Sequence, residues 1–222
     1  MASLLDLLVP PRCILCGDNG PDLCLECLAA LPLRGGPCCP RCGTAVPRPV
    51  RDCAACRGRR LGHDAFGAAM LYRDLGRDFV HQLKDRGMRA LAGHGAALMT
   101  LALDRPDADV LTWVPADPLR EAIRGYHPPK LLAMALAERW GMRSGPLVGA
   151  RLRRRPQRGL SRRERRSNVS GAFTARGDVP GRVVVVDDVR TTGATLVAAS
   201  MALKRGGAVT VVAMALAWAE DA

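Results

Sequence analysis

The spacing of apolar positions divides the 222-residue chain into two textures. Residues 1–60 are rich in Pro and Gly and hold no long periodic segment, whereas 61–222 alternate short apolar runs with stretches of helical spacing. Phe66–Tyr72 predicts a first strand. Leu75, Phe79, Val80 and Leu83 fall at helical spacing and predict a helix that Gly87 interrupts; another helix covers about Arg89–Leu103. Val110–Val114 is a short β-rich run ended by Pro115, with a loop then running to Pro129. A helix is predicted from about Pro129 to Trp140, with Pro in its first turn and Gly141 past its end. Arg182–Asp187 encloses four consecutive valines, as in a strand buried on both faces. Thr195–Arg205 predicts a helix closed by Gly206-Gly207, and Val209–Ala215 a returning strand. Strands alternating with helices predict an α/β domain over 61–222 with a mostly parallel sheet. A small module covers 1–60, and Arg57–Gly62 reads as the linker.

Composition narrows the class. Apolar residues make up 48% of the chain, enough for a buried core. The apolar run Ala208–Trp218 has 11 residues and includes Thr210, too short to span a bilayer, so no membrane insertion is expected. Met1–Pro11 is apolar but has no basic stretch and no small-residue cleavage site, which predicts a cytoplasmic protein. The net charge is +12, and Arg151–Arg166 alone carries nine arginines against Glu164. The basicity is therefore mostly one local feature.

All nine cysteines lie in the first 60 residues, and eight of them form four Cys-x-x-Cys pairs. Thiolates at that spacing clamp one edge of a Zn²⁺ ion, and two pairs complete a tetrahedron. The simplest pairing puts Cys13, Cys16, Cys24 and Cys27 on one ion and Cys39, Cys42, Cys53 and Cys56 on another. The matching knuckles Cys13-x-x-Cys16-Gly17 and Cys39-x-x-Cys42-Gly43 also permit an interleaved pairing, and disulfides are the alternative to metal. Cys38 is left over. Four cysteines per ion leave no open position, so the zinc, one or two ions, is structural and folds a module with little core of its own.

The richest chemistry lies in Val183–Thr195, Val-Val-Val-Val-Asp-Asp-Val-Arg-Thr-Thr-Gly-Ala-Thr. The valines carry the chain to the C-terminal end of a strand, where open α/β sheets bind ligands. Backbone N–H groups of a turn that opens a helix converge on an anion, and Gly193 lets the backbone approach it. Thr191, Thr192 and Thr195 add hydroxyl donors. The adjacent carboxylates Asp187 and Asp188 suit ribose hydroxyls and Mg²⁺.

This run resembles the phosphoribosyl pyrophosphate signature of type I phosphoribosyltransferases. With the cysteine module in front, the chain resembles the ComF family, of ComFC-like and GntX-like proteins. The similarity extends to Leu83-Lys84-x-x-Gly87, to Val114-Pro115 with Arg120-x-x-x-Arg124-Gly125-Tyr126, and to Gln157-x-x-Leu160 with Arg166-x-Asn168-Val169-x-Gly171-Ala172-Phe173. The resemblance implies a sheet of the type I phosphoribosyltransferase kind and binding of phosphoribosyl pyrophosphate with Mg²⁺. It places Asp187 and Asp188 on the ribose hydroxyls, and Arg190, Thr191, Thr192, Gly193, Ala194 and Thr195 around the 5-phosphate. Arg120, Arg124, Gln157 and Arg166 fall on the pyrophosphate side, where a guanidinium suits bidentate recognition. Where the family usually carries Phe-Asn-Gln after Arg-Gly, this chain reads Tyr126-His127-Pro128 and then Pro129, replacing an amide pair by His and Pro.

Three readings of Arg151–Arg166 stand side by side: a hood closing over the ligand, a binding segment for a nucleic-acid backbone, and a solvated basic run. The two functions that follow are a phosphoribosyltransferase whose acceptor the sequence does not name, and a non-catalytic accessory protein of natural transformation. The second, also implied by the family, binds single-stranded DNA and a helicase-like partner during DNA uptake. Three Trp, three Phe and two Tyr offer few stacking groups for a strand. His63, His81 and His94 read as ordinary residues, His127 as one to watch, and Lys84 as either a phosphate contact or helix surface.

Overall fold

The computed structural model describes residues 11–85, 90–150 and 171–220, with Asp85 and Arg120 described by their backbone alone. A short helix, α1 (Leu25–Ala30), lies in the cysteine-rich part. The larger part runs β1 (Ala65–Leu71), α2 (Asp74–Asp85), α3 (Leu91–Ala102), β2 (Val110–Trp113), α4 (Pro118–Arg124), α5 (Pro128–Trp140) and β3 (Arg143–Ser144). It continues through β4 (Val148–Ala150), β5 (Phe173–Ala175), β6 (Arg182–Arg190), α6 (Ala194–Arg205) and β7 (Thr210–Trp218). Five strands form one sheet in the order β1-β7-β6-β2-β3, and every pairing in it is parallel. β4 and β5 pair antiparallel beside it.

The valine run of β6 shows why a central parallel strand carries no polar alternation. Val184 and Val186 enter the core beneath α2, α3 and α5, while Val183 and Val185 enter the opposite core beneath α6. Met214 and Leu216 of β7 repeat the first pattern, and Ala213 and Ala215 the second. Helices α3 and α5 approach closely because Gly95 has no side chain. A Cβ there would stand 2.7 Å from Leu132 Cδ2.

The cysteine-rich segment is laid against the exposed edge of this sheet. β1 is the edge strand, and its partner on the open side is the extended stretch Pro32–Pro40. Arg34 N–H donates to the Ala69 carbonyl (2.9 Å), Leu71 N–H to Pro32 (2.8 Å) and Phe66 N–H to Pro40 (2.9 Å). Backbone groups that an edge leaves open are thereby satisfied. The two halves of the segment straddle that edge. Cys13, Leu23, Cys27 and Leu31 join the core under α2 and α3, whereas Cys39, Cys42, Cys53 and Cys56 pack with Leu61 and Val197 on the α6 side.

Several elements extend past their expected limits. β6 continues through Asp187–Arg190 because β7 reaches Trp218 and pairs Arg190 with it. The stretch read as loop between Pro115 and Pro129 contains α4, whose start is marked by Asp117 Oδ1 accepting from Leu119 N–H (2.9 Å) and by Pro118 in first position.

Candidate functional site

The sulfur atoms gather in two groups, Cys13/Cys16/Cys24/Cys27 and Cys39/Cys42/Cys53/Cys56, each with its Sγ atoms within 4.8 Å of one another. The sequential pairing is therefore the one the fold makes, and all of these thiols are free of disulfides. In the second group the Sγ–Sγ separations are 3.4 Å (Cys42–Cys53), 3.7 Å (Cys39–Cys56) and 3.8 Å (Cys53–Cys56). A tetrahedron built on Zn–S bonds of about 2.3 Å has edges of about 3.8 Å. A disulfide, at about 2.05 Å, does not fit this spacing. The donor set supports structural zinc. Burial pushes the Cys27 thiol up to about 11 and the Cys56 thiol up to about 12. Cys13 and Cys39 are also pushed up by burial, yet backbone N–H groups bring them down to about 6 and about 7. Each group thus holds one thiol whose backbone contacts favour the thiolate, and a bound cation would favour the thiolate forms of Cys27 and Cys56 as well. Cys38 stands outside both groups, with Arg34 Nη2 at 3.5 Å from its sulfur.

At the C-terminal end of β6, Asp187 and Asp188 are only 9% and 7% exposed. The backbone N–H of Asp188 donates to Asp187 Oδ1 (2.9 Å), which fixes the Asp187 carboxylate against its own strand. Burial, and then the charge of Asp188, raise the Asp187 pKa well above the usual carboxylate range. Their counter-charge is Lys84, whose Nζ lies 2.9 Å from Asp188 Oδ1. Lys84, expected as a phosphate contact or as helix surface, comes from the last turn of α2 to pair with Asp188.

The turn that follows exposes Thr191, Thr192 and Thr195, with Ala194 half-buried. Gly193 caps α6 in the left-handed region (φ 75°), a conformation that glycine adopts without cost. Thr192 Oγ1 accepts from Ala194 N–H at 3.4 Å. The first amides of a twelve-residue helix therefore open beside two carboxylates.

Arg190 turns the other way. Its guanidinium donates to the Cys42 carbonyl and is enclosed by Phe66 (4.4 Å to the ring centre) and Trp218 (4.6 Å), with Arg34 also over Trp218 at 4.2 Å. Its shaft passes under the turn, where a Cβ on Gly193 would stand 2.9 Å from Nε. Burial lowers its pKa from the ordinary arginine value. Expected around the 5-phosphate, the Arg190 side chain instead serves the ribbon.

α4 carries Arg120 and Arg124, the segment expected on the pyrophosphate side. The Arg120 side chain lies outside the described residues, as do Gln157 and Arg166. His127 caps α5 and is buried, and burial depresses its pKa. The charges of Glu121, Asp188, Lys130 and Arg124 all bear on it, which brings this loop and the β6 carboxylates into one neighbourhood. Tyr126 is the hinge of that neighbourhood: its hydroxyl donates to the Leu83 carbonyl (2.6 Å) and lies 3.0 Å from that of Lys84. The Lys84–Asp188 pair and the Phe66–Arg190–Trp218 stack were not read from the sequence. Lys84 and Asp188 stand 104 positions apart, and Phe66 and Arg190 stand 124 apart, beyond any local pattern.

The chain is similar to known proteins in both of its parts. Residues 4–58 match the double zinc ribbon domain. The chain is 31% identical over 221 residues to the DNA utilization protein YhgH of Salmonella typhi, covering 92% of this chain and 96% of that protein. It is 28% identical to competence protein F of Haemophilus influenzae, over 88% of this chain and 92% of that protein. Among solved structures, glutamine phosphoribosylpyrophosphate amidotransferase from B. subtilis is similar over 55% of this chain at 27% identity and a TM-score of 0.39. The match spans 26% of that enzyme's length. No described helix is long and apolar enough to cross a membrane.

Proposed function

This chain belongs to the ComF family, and from that premise we propose that the turn after β6 binds phosphoribosyl pyrophosphate with Mg²⁺. In this reading residues 1–60 are the zinc-ribbon module and 61–222 the ligand-binding domain. One observation carries it: two adjacent carboxylates stay buried in the C-terminal half of β6, shortly ahead of the turn in which Gly193 caps the next helix. Asp187 and Asp188 accept from the ribose 2- and 3-hydroxyls, which replaces their lost hydration. The amides of Thr192–Thr195 and the threonine hydroxyls take the 5-phosphate. The carboxylate pair suits Mg²⁺, a hard cation that seeks oxygen ligands and neutralises phosphate charge when bound. Lys84 holds Asp188 in place until the ligand arrives. Arg120 and Arg124 meet the pyrophosphate, and Gln157 and Arg166 are assigned to the same side of the ligand. In group transfer, the bond from C1 to the pyrophosphate oxygen breaks, pyrophosphate leaves with the electron pair, and an acceptor attacks C1; we assign no acceptor.

Calorimetry with phosphoribosyl pyrophosphate, with and without Mg²⁺, tests the assignment on the wild type and on Asp187→Ala/Asp188→Ala. The wild type binds and the double variant does not; a wild type without binding heat rejects the ligand.

The names of the relatives, DNA utilization protein and competence protein, favour a second reading as an accessory protein of DNA uptake. There the chain binds single-stranded DNA and a helicase-like partner. The affinity for a strand then falls steeply with salt, and the slope flattens when Arg153, Arg154 and Arg155 are neutralised. An unchanged slope removes that role from the segment.

A further inference from the structure

We propose that a basic cleft at the C-terminal end of α6 is a second site, taking a phosphate group separately from the turn after β6. The cleft has a volume of about 580 Å³ and is lined by Arg41, Arg60, His63, Asp64, Lys204 and Arg205. Two come from the cysteine-rich segment, two from the stretch leading into β1, and two from the last turn of α6. The site therefore exists only because the ribbon is docked on the domain.

The floor is rigid. Gly62 adopts φ 75°, and a Cβ on it would stand 2.8 Å from the backbone nitrogen of Met201 and 3.0 Å from the Val197 carbonyl. Arg41 is fixed by donating to the Cys56 carbonyl (3.2 Å) and the Arg59 carbonyl (2.7 Å), so the second ribbon sets its position. Lys204 bridges Asp64 (2.7 Å) and the Val209 carbonyl (2.6 Å). That pair consumes the cleft's single carboxylate. His63 is 6% exposed, and neither of its ring nitrogens has a hydrogen-bond partner among the described residues.

Charge decides the ligand. Four cations and one carboxylate leave about three positive charges, against about half a negative charge from the C-terminus of α6. The cleft selects an anion. It is lined by no Phe, Tyr or Trp on which a base could stack, so recognition rests on phosphate alone. The length of α6 separates it from the Thr191–Thr195 turn by roughly 17 Å, at about 1.5 Å per residue. Phosphate esters come from two sources here, a small phosphorylated molecule or the backbone of a strand.

The test uses the whole zinc-loaded chain with Arg60→Glu/Arg205→Glu, both exposed positions, and Arg139→Glu/Arg143→Glu as a variant of equal charge on the far side of the sheet. Probes are inorganic pyrophosphate, AMP, and a labelled twelve-residue oligothymidylate, each at about 0.1 M salt. The cleft variant loses at least fivefold in affinity for one or more probes, with a log–log salt slope smaller by about one to two for the oligomer. The control variant loses less than twofold. Loss with pyrophosphate and AMP identifies a small ligand, and loss with the oligomer alone identifies a strand. Equal losses in the two variants, or none in the cleft variant, overturn the proposal. Asp187→Ala/Asp188→Ala retains this binding, so failure of the ribose-phosphate assignment is read separately.

Discussion

The guanidinium of Arg190 donates to the carbonyl of Cys42, so one side chain joins the turn after β6 to a cysteine of the second ribbon. Arg190→Gln removes a charged hydrogen bond and the stacking on Phe66 and Trp218 together. The desolvation cost of the guanidinium offsets part of that loss. Urea unfolding is expected to show a loss of about 2 kcal/mol with zinc content intact. Unchanged stability would mean that the contact contributes nothing.

Asp187 follows from its raised pKa. A carboxyl whose folded pKa lies above its unfolded value is most compatible with folding at low pH, and its stability contribution is lost as pH rises through the folded pKa. Asp187→Asn keeps an oxygen for the Asp188 amide and removes the charge. Its stability should match the wild type near pH 4 and exceed it increasingly toward pH 7, while binding of the ribose phosphate is lost. Parallel stability curves would show that Asp187 ionises in the folded chain as freely as in the unfolded one.

His63 gives the opposite slope. Burial, and then the nearby Arg190 charge, lower its pKa to about 4 from an ordinary 6.5. The neutral ring favours the fold above pH 6.5, and that contribution disappears as pH falls to about 4, worth about 3 kcal/mol. His63→Phe abandons no hydrogen bond to a described residue. The difference in unfolding free energy between variant and wild type should grow in favour of the variant across that window. A constant difference would place the titration elsewhere.

The cysteine groups differ in what a single serine does. Cys53→Ser removes one ligand from the second group and should lower bound zinc by one ion per chain, measured by metal analysis after gel filtration. Cys38→Ser should leave the zinc content of the wild type, since its sulfur belongs to neither group.

Much of this architecture was legible because it is local. Four valines in a row announce a strand with two buried faces, and Gly206-Gly207 marks the end of α6. The Cys-x-x-Cys spacing locates the metal ligands, though only the fold chooses between sequential and interleaved pairing. α4 leaves no mark in the pattern, because seven residues cannot establish a period and its exposed Leu119 and Ile123 give no apolar face to a core. β6 runs past its apolar residues, since polar Asp187, Asp188 and Arg190 look like a strand's end. Pairing with β7 holds them in the sheet. Lys84 could not be assigned, because its partner stands 104 positions away.

The cover that Pro32–Pro40 lays over β1 depends on the cysteine groups at either side of it. Stripped of zinc, the chain would uncover a parallel strand whose amides and carbonyls have lost their partners, with Met70 in the core on one side of it and Phe66 in the core on the other. Such an edge recruits the same edge of another molecule. The metal would then govern solubility as much as shape, and chelation would be seen first as concentration-dependent association.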